Sequence, residues 1–115
     1  LIEKINFDDF LKVDIRLGKI IAVYDFPKAR KPAYQLDIDF GTALGIKKTS
    51  AQITQNYSKT DLIGHLVLAV VNFPPKQIAN YRSEVLVLGL SDATGGIILV
   101  RPDDASSLPL GSRLH

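Results

Sequence analysis

The feature that most constrains the fold is the length of the apolar runs, which are all of strand length and are bounded by turn-forming or charged residues. They include "YQLDIDF" (residues 34–40), "LVLAVVNF" (66–73), "EVLVLGL" (84–90) and "IILVR" (97–101). In the first of these, Leu36, Ile38 and Phe40 alternate with polar residues, which is typical of a strand with one face in water. These runs predict a mainly β protein.

The N-terminal third contributes a short helix and one more strand. Asn6 and Asp9 have the spacing of a capping box, which predicts a helix from Phe7 to about Lys12. The segment "VDIRLGKIIAVYDF" then alternates until Gly18, and a glycine there suggests a bulge or bend in a long strand. The following "FPKARKPAY" contains two prolines and three cations, which indicates an exposed loop.

Residues 41–64 have no clear pattern apart from a turn at "GTALG" and helix-compatible residues 60–63, whereas "SDATGG" is typical of a hairpin connection. Five strands with one leading helix fit a five-stranded OB-fold barrel with terminal extensions. We therefore predict one domain over residues 1–115.

The apolar runs "LVLAVV", "VLVLGL" and "IILV" are apolar at successive positions, so both faces of these strands need cover. Two explanations are open. The terminal segments could fold back over the barrel, or the outer faces could form a dimer interface or an apolar groove for a partner.

Composition gives little support to catalysis. The chain has no cysteine and two histidines, His65 and His115, so neither a paired-histidine metal site nor a Ser-His-Asp triad can be assembled with confidence. Asp37 and Asp39 lack the spacing of a calcium loop, and "GTALG" lacks the ending of a phosphate-binding loop. We predict a protein that is not an enzyme and holds neither cofactor nor metal.

The longest apolar run is far shorter than the roughly 20 residues of a membrane helix, and the N-terminus does not resemble a signal peptide. We therefore expect a cytoplasmic protein without membrane insertion. The chain starts at Leu1 and has no methionine, so we expect an initiating residue outside the printed sequence.

Binding chemistry is better represented. The formal charge is only +2, but seven cations fall in predicted loops or at strand ends, where they could contact phosphates: Lys28, Arg30, Lys31, Lys47, Lys48, Lys76 and Arg82. Phe26, Tyr57, Phe73 and Tyr81 lie near them and could stack bases. The alternative is that these cations are ordinary solvated side chains and that the aromatic residues plug the barrel.

Four stretches carry a family resemblance: "FLKVDIRLGKI", "FPKARKPAYQLDIDFG", "SAQIT" and "GHLVLAVVNFPPKQIANYRSEVLVLG". Together they resemble the CsaA family of export-related proteins and, more distantly, the tRNA-binding domain found beside some tRNA synthetases. The resemblance implies an OB-fold homodimer, built with help from the terminal extensions, that keeps precursor polypeptides unfolded for export, with the export machinery as a candidate partner. It leaves tRNA binding as the alternative function and a simple protein adaptor as a third.

The resemblance also directs attention to "VNFPPKQIANYRSEVLVLGL". The proline pair ends one strand, because proline cannot donate a hydrogen bond to a sheet, and we interpret the loop that follows as a presented surface rather than a plain connection. The tRNA-binding relatives have Ser-Glu-Gly-Met where this chain has Ser83, Glu84, Val85 and Leu86. We expect Val85 to hinder close approach of a base and Leu86 to suit a peptide side chain. The predicted peptide or tRNA site is Asn72, Phe73, Lys76, Arg82, Ser83, Glu84 and Leu86 with the cations Lys28, Arg30, Lys31, Lys47 and Lys48.

Overall fold

The computed structural model describes residues 2–115 and confirms a mainly β protein. Its elements in chain order are α1 Phe7–Leu11, β1 Ile15–Asp25, β2 Tyr34–Asp39, β3 Ile46–Ala51, α2 Lys59–Leu62, β4 Leu66–Val70, β5 Lys76–Ile78, β6 Tyr81–Ser83, β7 Leu86–Val87, β8 Gly89–Ser91 and β9 Ile97–Leu99. No helix among the described residues is long and apolar enough to cross a bilayer.

The barrel is a five-stranded antiparallel sheet in the order β3-β2-β1-β4-β7. The segment before β7 brings the two edges together. The Glu84 N–H donates to the Lys48 carbonyl at 2.8 Å, and the Lys48 N–H donates to the Glu84 carboxylate at 2.9 Å. These contacts nearly close the sheet, as the OB-fold prediction requires.

The apolar side chains that alternate along β2 point into the barrel interior and fill it. Leu36, Ile38 and Phe40 are at most 1% exposed and pack with Ile20 and Val67 from β1 and β4. β1 carries a bulge where its register with β2 shifts between Ile20 and Ala22. Gly18 lies just before it, and a Cβ at that position would be 2.5 Å from the Ile38 side chain. The glycine therefore allows close packing beside the bulge.

A second layer covers the outer face of β1 and β4. Ile15, Leu17, Leu68 and Val70 form a separate buried cluster against Leu88, Val100 and Leu110. The C-terminal residues run beside β1, where the Leu17 N–H donates to the Ser112 carbonyl and the Leu114 N–H to the Ile15 carbonyl, both at 2.9 Å. The terminal segment thus folds back over the barrel, which was one of the two predicted explanations for the outward apolar residues.

Helix α1 has the predicted capping box. Asn6 Oδ1 accepts from the Asp9 N–H at 3.0 Å, and Asp9 accepts from the Asn6 N–H at 3.2 Å. The helix ends at Leu11, one residue before the predicted end.

Several predicted strand assignments were wrong. Residues 46–51, expected to be irregular, form β3. The sequence hides this strand because its inward residue is the buried Thr49, which follows Lys47 and Lys48. The predicted strand 66–73 ends at Val70, and the predicted strand 84–90 is divided between β7 and β8. Residues 76–81 were predicted to be an arching loop, but in the structure they belong to the β5–β6 hairpin. Short strands on a curved barrel have too few residues to produce an alternation.

Candidate ligand-binding groove

A groove of about 1040 Å³ opens between the loop that joins β1 to β2 and the β5–β6 hairpin. Its floor comes from the end of β3 and from β7, β8 and β9. The loop between the first two strands and the loop before the last barrel strand are the usual ligand-binding elements of OB folds. The fold therefore makes this groove the leading candidate site.

The β1–β2 loop is held in place by Phe26. This residue is 4% exposed, and its ring meets the Tyr81 ring edge-on with centroids 5.4 Å apart. The contact ties one wall of the groove to the other. Prolines at 27 and 32 restrict the backbone between them, so the loop holds the exposed Lys28, Arg30 and Lys31 along the rim.

The opposite wall is a hairpin with a two-residue turn, Ala79–Asn80. Ala79 has φ 53°, a left-handed conformation that is uncommon for a residue with a Cβ. Lys76 stands at the start of the hairpin, directly after the proline pair, and its exposed side chain also lines the groove.

The floor between the walls is largely apolar. It includes Ile53, Val87, Ile97 and Leu99, together with Leu86, whose side chain is 49% exposed. An exposed leucine inside a concave surface is unfavourably hydrated, so a ligand that covers its apolar area gains binding free energy. This floor can accept apolar side chains of a ligand.

Five of the predicted site residues thus meet in the groove: Lys28, Arg30, Lys31, Lys76 and Leu86. No aspartate or glutamate is among the residues that line it. Four cations with no carboxylate among the lining residues create a positive potential in the groove, which a low-dielectric wall strengthens. The arrangement is suited to a ligand that carries both negative charge and apolar groups.

Three other predicted residues have structural contacts instead. Asn72 joins the N-terminal segment to β4, accepting from the Asp14 N–H at 3.0 Å and donating to the Lys12 carbonyl at 2.7 Å. Ser83 is 8% exposed, and Glu84 accepts from the Lys48 N–H as described above. The remaining predicted residues, Phe73, Arg82, Lys47 and Lys48, do not line the groove.

The expected effect of Val85 was wrong. Its side chain is 7% exposed and packs in the barrel core, so it does not obstruct the groove. Residue 85 points inward and residue 86 outward because successive strand residues face opposite sides. The valine is therefore no obstacle to a base or a peptide.

The nearby aromatic residues act mainly in packing. Phe26 is buried, and Tyr57 is half-buried, with its ring edge-on to His65 at 5.5 Å and its hydroxyl accepting from the Leu99 N–H at 3.0 Å. Burial, together with the carboxylates of Asp37 and Glu84, raises the pKa of Tyr81 to about 12. This tyrosine is a neutral anchor for the loop at physiological pH.

Sequence reasoning missed most of the groove floor. Ile53 lies in the region without a pattern, and Ile97 and Leu99 were interpreted only as strand residues. Gln77 and Ala79 on the hairpin wall were treated as loop. The signal that could have identified Ala79 is a backbone angle, which the sequence does not reveal.

Within residues 2–115 no group of three or more His, Cys, Asp or Glu side chains is arranged to hold a metal ion.

Comparison with known proteins identifies the family. The family model described as "Putative tRNA binding domain" matches residues 15–111. The crystal structure of a CsaA chaperone protein from Picrophilus torridus superposes with a TM-score of 0.90 at 51% identity and covers 97% of this chain and 100% of that one. The chain belongs to the CsaA family. A second CsaA structure, from Bacillus anthracis str. Ames, gives a TM-score of 0.90 at 47% identity, covering 98% of this chain and all of that one.

A more distant relationship links this chain to part of a tRNA ligase. Methionine–tRNA ligase of Thermococcus onnurineus is 33% identical over 114 residues, which is 99% of this chain but 15% of the ligase. The chain therefore spans about 15% of that relative's length, and the similarity concerns the tRNA-binding-type domain rather than the whole ligase.

Proposed function

We propose that this chain is a non-enzymatic chaperone-type protein that holds segments of unfolded polypeptide in the groove. The observation that carries the proposal is the combination of an apolar floor with a cationic rim in one concave surface. An unfolded chain exposes apolar side chains that a native protein buries, and the floor around Leu86 offers them a partner. The CsaA relatives at 47% and 51% identity, both described as chaperones, support it further.

Polypeptide is favoured over nucleic acid by the state of the aromatic residues. Proteins that bind single-stranded nucleic acid stack bases on exposed aromatic side chains. The one aromatic residue that lines the groove, Phe26, is 4% exposed and is already packed against Tyr81. Phe73 is 53% exposed but does not line the groove.

The proposal includes a homodimer, precursor clients that are delivered to the export machinery, and a cytoplasmic location. The homodimer is supported by apolar side chains that remain exposed outside the groove. Helix α1 buries none of its residues, and its Phe7 and Leu11 are 69% and 43% exposed. Leu90 and Ile98, a cross-strand pair on β8 and β9, are 69% and 46% exposed. Surfaces of this kind are typical of sites that a second copy covers.

Binding of tRNA is the second candidate, and the observation that favours it is the set of four groove cations without an opposing carboxylate. Such a set would neutralise phosphates and release their counterions. The description of the matched family points the same way.

The test is a pair of fluorescence titrations, one with a labelled unfolded precursor peptide and one with labelled tRNA, each at low and near-physiological salt. Leu86→Gln removes the apolar contact in the groove, and Leu108→Gln, which changes an exposed leucine outside both the groove and the proposed dimer surface, is the matched control. Peptide binding that survives salt and is weakened by Leu86→Gln alone supports the proposal. Peptide binding that is absent, or that both variants leave unchanged, contradicts it, and saturable tRNA binding at near-physiological salt would establish the second candidate.

A further inference from the structure

The strand that forms one wall of the groove has an unpaired edge. β5 has a single neighbour, β6, in the two-stranded sheet, whereas β6 also lies against β3. Among the described residues, no backbone–backbone hydrogen bond beyond the β5–β6 ladder involves residues 76–79, and the Ala79 carbonyl accepts from the Gln77 side chain at 3.1 Å. An unpaired strand edge offers a row of main-chain donors and acceptors to any extended chain that reaches it.

The register identifies which groups are free. The pairs are Lys76 with Ser83, Gln77 with Arg82 and Ile78 with Tyr81, and the last pair flanks the two-residue turn. In such a hairpin the flanking pair shares the closely spaced hydrogen bonds, and the next pair directs its N–H and C=O groups outward. The backbone groups of Gln77 therefore point away from β6, on a residue that lines the groove.

We propose that the groove binds its polypeptide by strand addition. In this arrangement an extended segment pairs with the free edge of β5 through Gln77, and its side chains alternate between acidic and apolar. The inference rests on the function proposed above and specifies the class of polypeptide. Strand addition is an established mode of peptide recognition, in which main-chain bonds give affinity and alternate side chains give specificity.

The alternation follows from the two surfaces that the segment would contact. Successive side chains of an extended chain point to opposite faces. One set would meet the apolar floor at Leu86 and Ile97, and the other would meet the cations of the rim, Lys28, Arg30 and Lys31. Because no carboxylate lines the groove, a basic segment would be repelled and an acidic one attracted.

The first experiment measures binding of three labelled peptides to the unmodified full chain. One peptide alternates Glu and Leu, the second has the same composition with all Glu in one block, and the third alternates Lys and Leu. We expect the alternating acidic peptide to bind most tightly and the Lys peptide to bind at least about tenfold more weakly at low salt. Equal binding of the alternating and block peptides, or of the acidic and basic ones, would overturn the inference.

The second experiment tests the main-chain bonds. N-methylation of alternate amides in the acidic peptide should weaken binding roughly fivefold per lost bond, in only one of the two possible registers. Gln77→Ala and Gln77→Pro both remove the side-chain bond to the Ala79 carbonyl, but only Gln77→Pro also removes the outward N–H. Gln77→Pro should therefore bind the peptide roughly fivefold more weakly than Gln77→Ala does. If Gln77→Pro fails to fold, the methylated peptides decide the matter with the unaltered chain.

The outcomes separate this inference from the proposed function. Peptides that bind with sensitivity to Leu86→Gln but are indifferent to methylation and to pattern would refute strand addition and leave the chaperone-type function standing. Peptides that do not bind at all, with tRNA binding instead, would refute both.

Discussion

The hydroxyl oxygens of Thr49 and Ser83 lie 2.9 Å apart where the two edges of the barrel meet, and both residues are buried. Thr49 also donates to the Val85 carbonyl at 2.7 Å, and Ser83 accepts from the Ser50 N–H at 3.2 Å. No side-chain polar atom that is buried among the described residues is left without a partner. This network fastens β3 to the segment that leads into β7, and β7 supplies the groove residue Leu86.

Removing the Thr49 hydroxyl should destabilise the closed barrel. Thr49→Val keeps the shape of the side chain but leaves the Val85 carbonyl without its donor, so we expect the free energy of unfolding to fall by roughly 1–3 kcal/mol. Urea denaturation measures the change. Thr42→Val, in an exposed turn, should change it little; a comparable loss in both variants would contradict the role given to the network.

Two glycines with the same backbone angle provide a test of how the C-terminal segment docks. Gly111 and Gly95 have φ of 88° and 89°, but a Cβ at Gly111 would collide with the Phe40 carbonyl, whereas a Cβ at Gly95 would meet nothing within 4 Å. Gly95→Ala should cost about 1 kcal/mol from backbone strain alone. Gly111→Ala should cost clearly more because it adds overpacking. Equal costs by thermal denaturation would show that the segment is loosely held.

The raised pKa of Tyr81 should make stability depend on alkaline pH. The pKa is about 12 in the folded chain against 10.0 for an unperturbed tyrosine, so the folded state holds a proton that the unfolded state loses. Stability should therefore be complete below about pH 10 and should fall as the pH rises toward 12. Denaturation at a series of pH values in the parent and in Tyr81→Phe measures this. The variant should show a smaller decline, and identical declines would disprove the assignment.

The groove cations should contribute more to binding than the cations elsewhere. Lys76→Gln removes a charge that lines the groove, and Lys48→Gln removes an exposed charge on β3 that does not. We expect the first to weaken binding of an acidic peptide, or of tRNA if tRNA is the ligand, and to reduce its dependence on salt. The second should have a smaller effect on both. If Lys48→Gln has the larger effect, the ligand lies along β3 and not in the groove.

The ionised carboxylate of Asp92 should stabilise the β8–β9 turn, and this stabilisation should be lost only at acidic pH. Hydrogen bonds from the Asn56 side chain and from Thr94 hold the pKa of Asp92 below its usual value. The folded state therefore favours the ionised form, and its contribution should be lost as the pH falls through the lowered pKa. Acid denaturation of Asp92→Asn should show a smaller dependence on pH than the parent below about pH 4. An unchanged dependence would rule out this contribution.

The sequence by itself determined the elements whose signal is local. The alternation of Leu36, Ile38 and Phe40 identified the face of β2 that fills the barrel, and Asn6 with Asp9 identified the start of α1, because both patterns depend on neighbours within a few residues. The length and spacing of the apolar runs were enough to predict a small barrel. The family followed from extended stretches of sequence, and the comparisons confirmed it.

The tertiary structure alone decided which polar residues are structural and which are free to bind. The sequence predicts a polar binding surface at Asn72, Ser83 and Glu84. In the structure, however, their side chains form hydrogen bonds with backbone or buried groups that are distant in the sequence. β3 was hidden because its inward residue is a threonine whose partners come from beyond residue 82. The groove likewise joins Lys28 to Lys76 and Leu86. Closing the barrel creates these contacts, and residues so distant in sequence leave no periodic signal of their proximity.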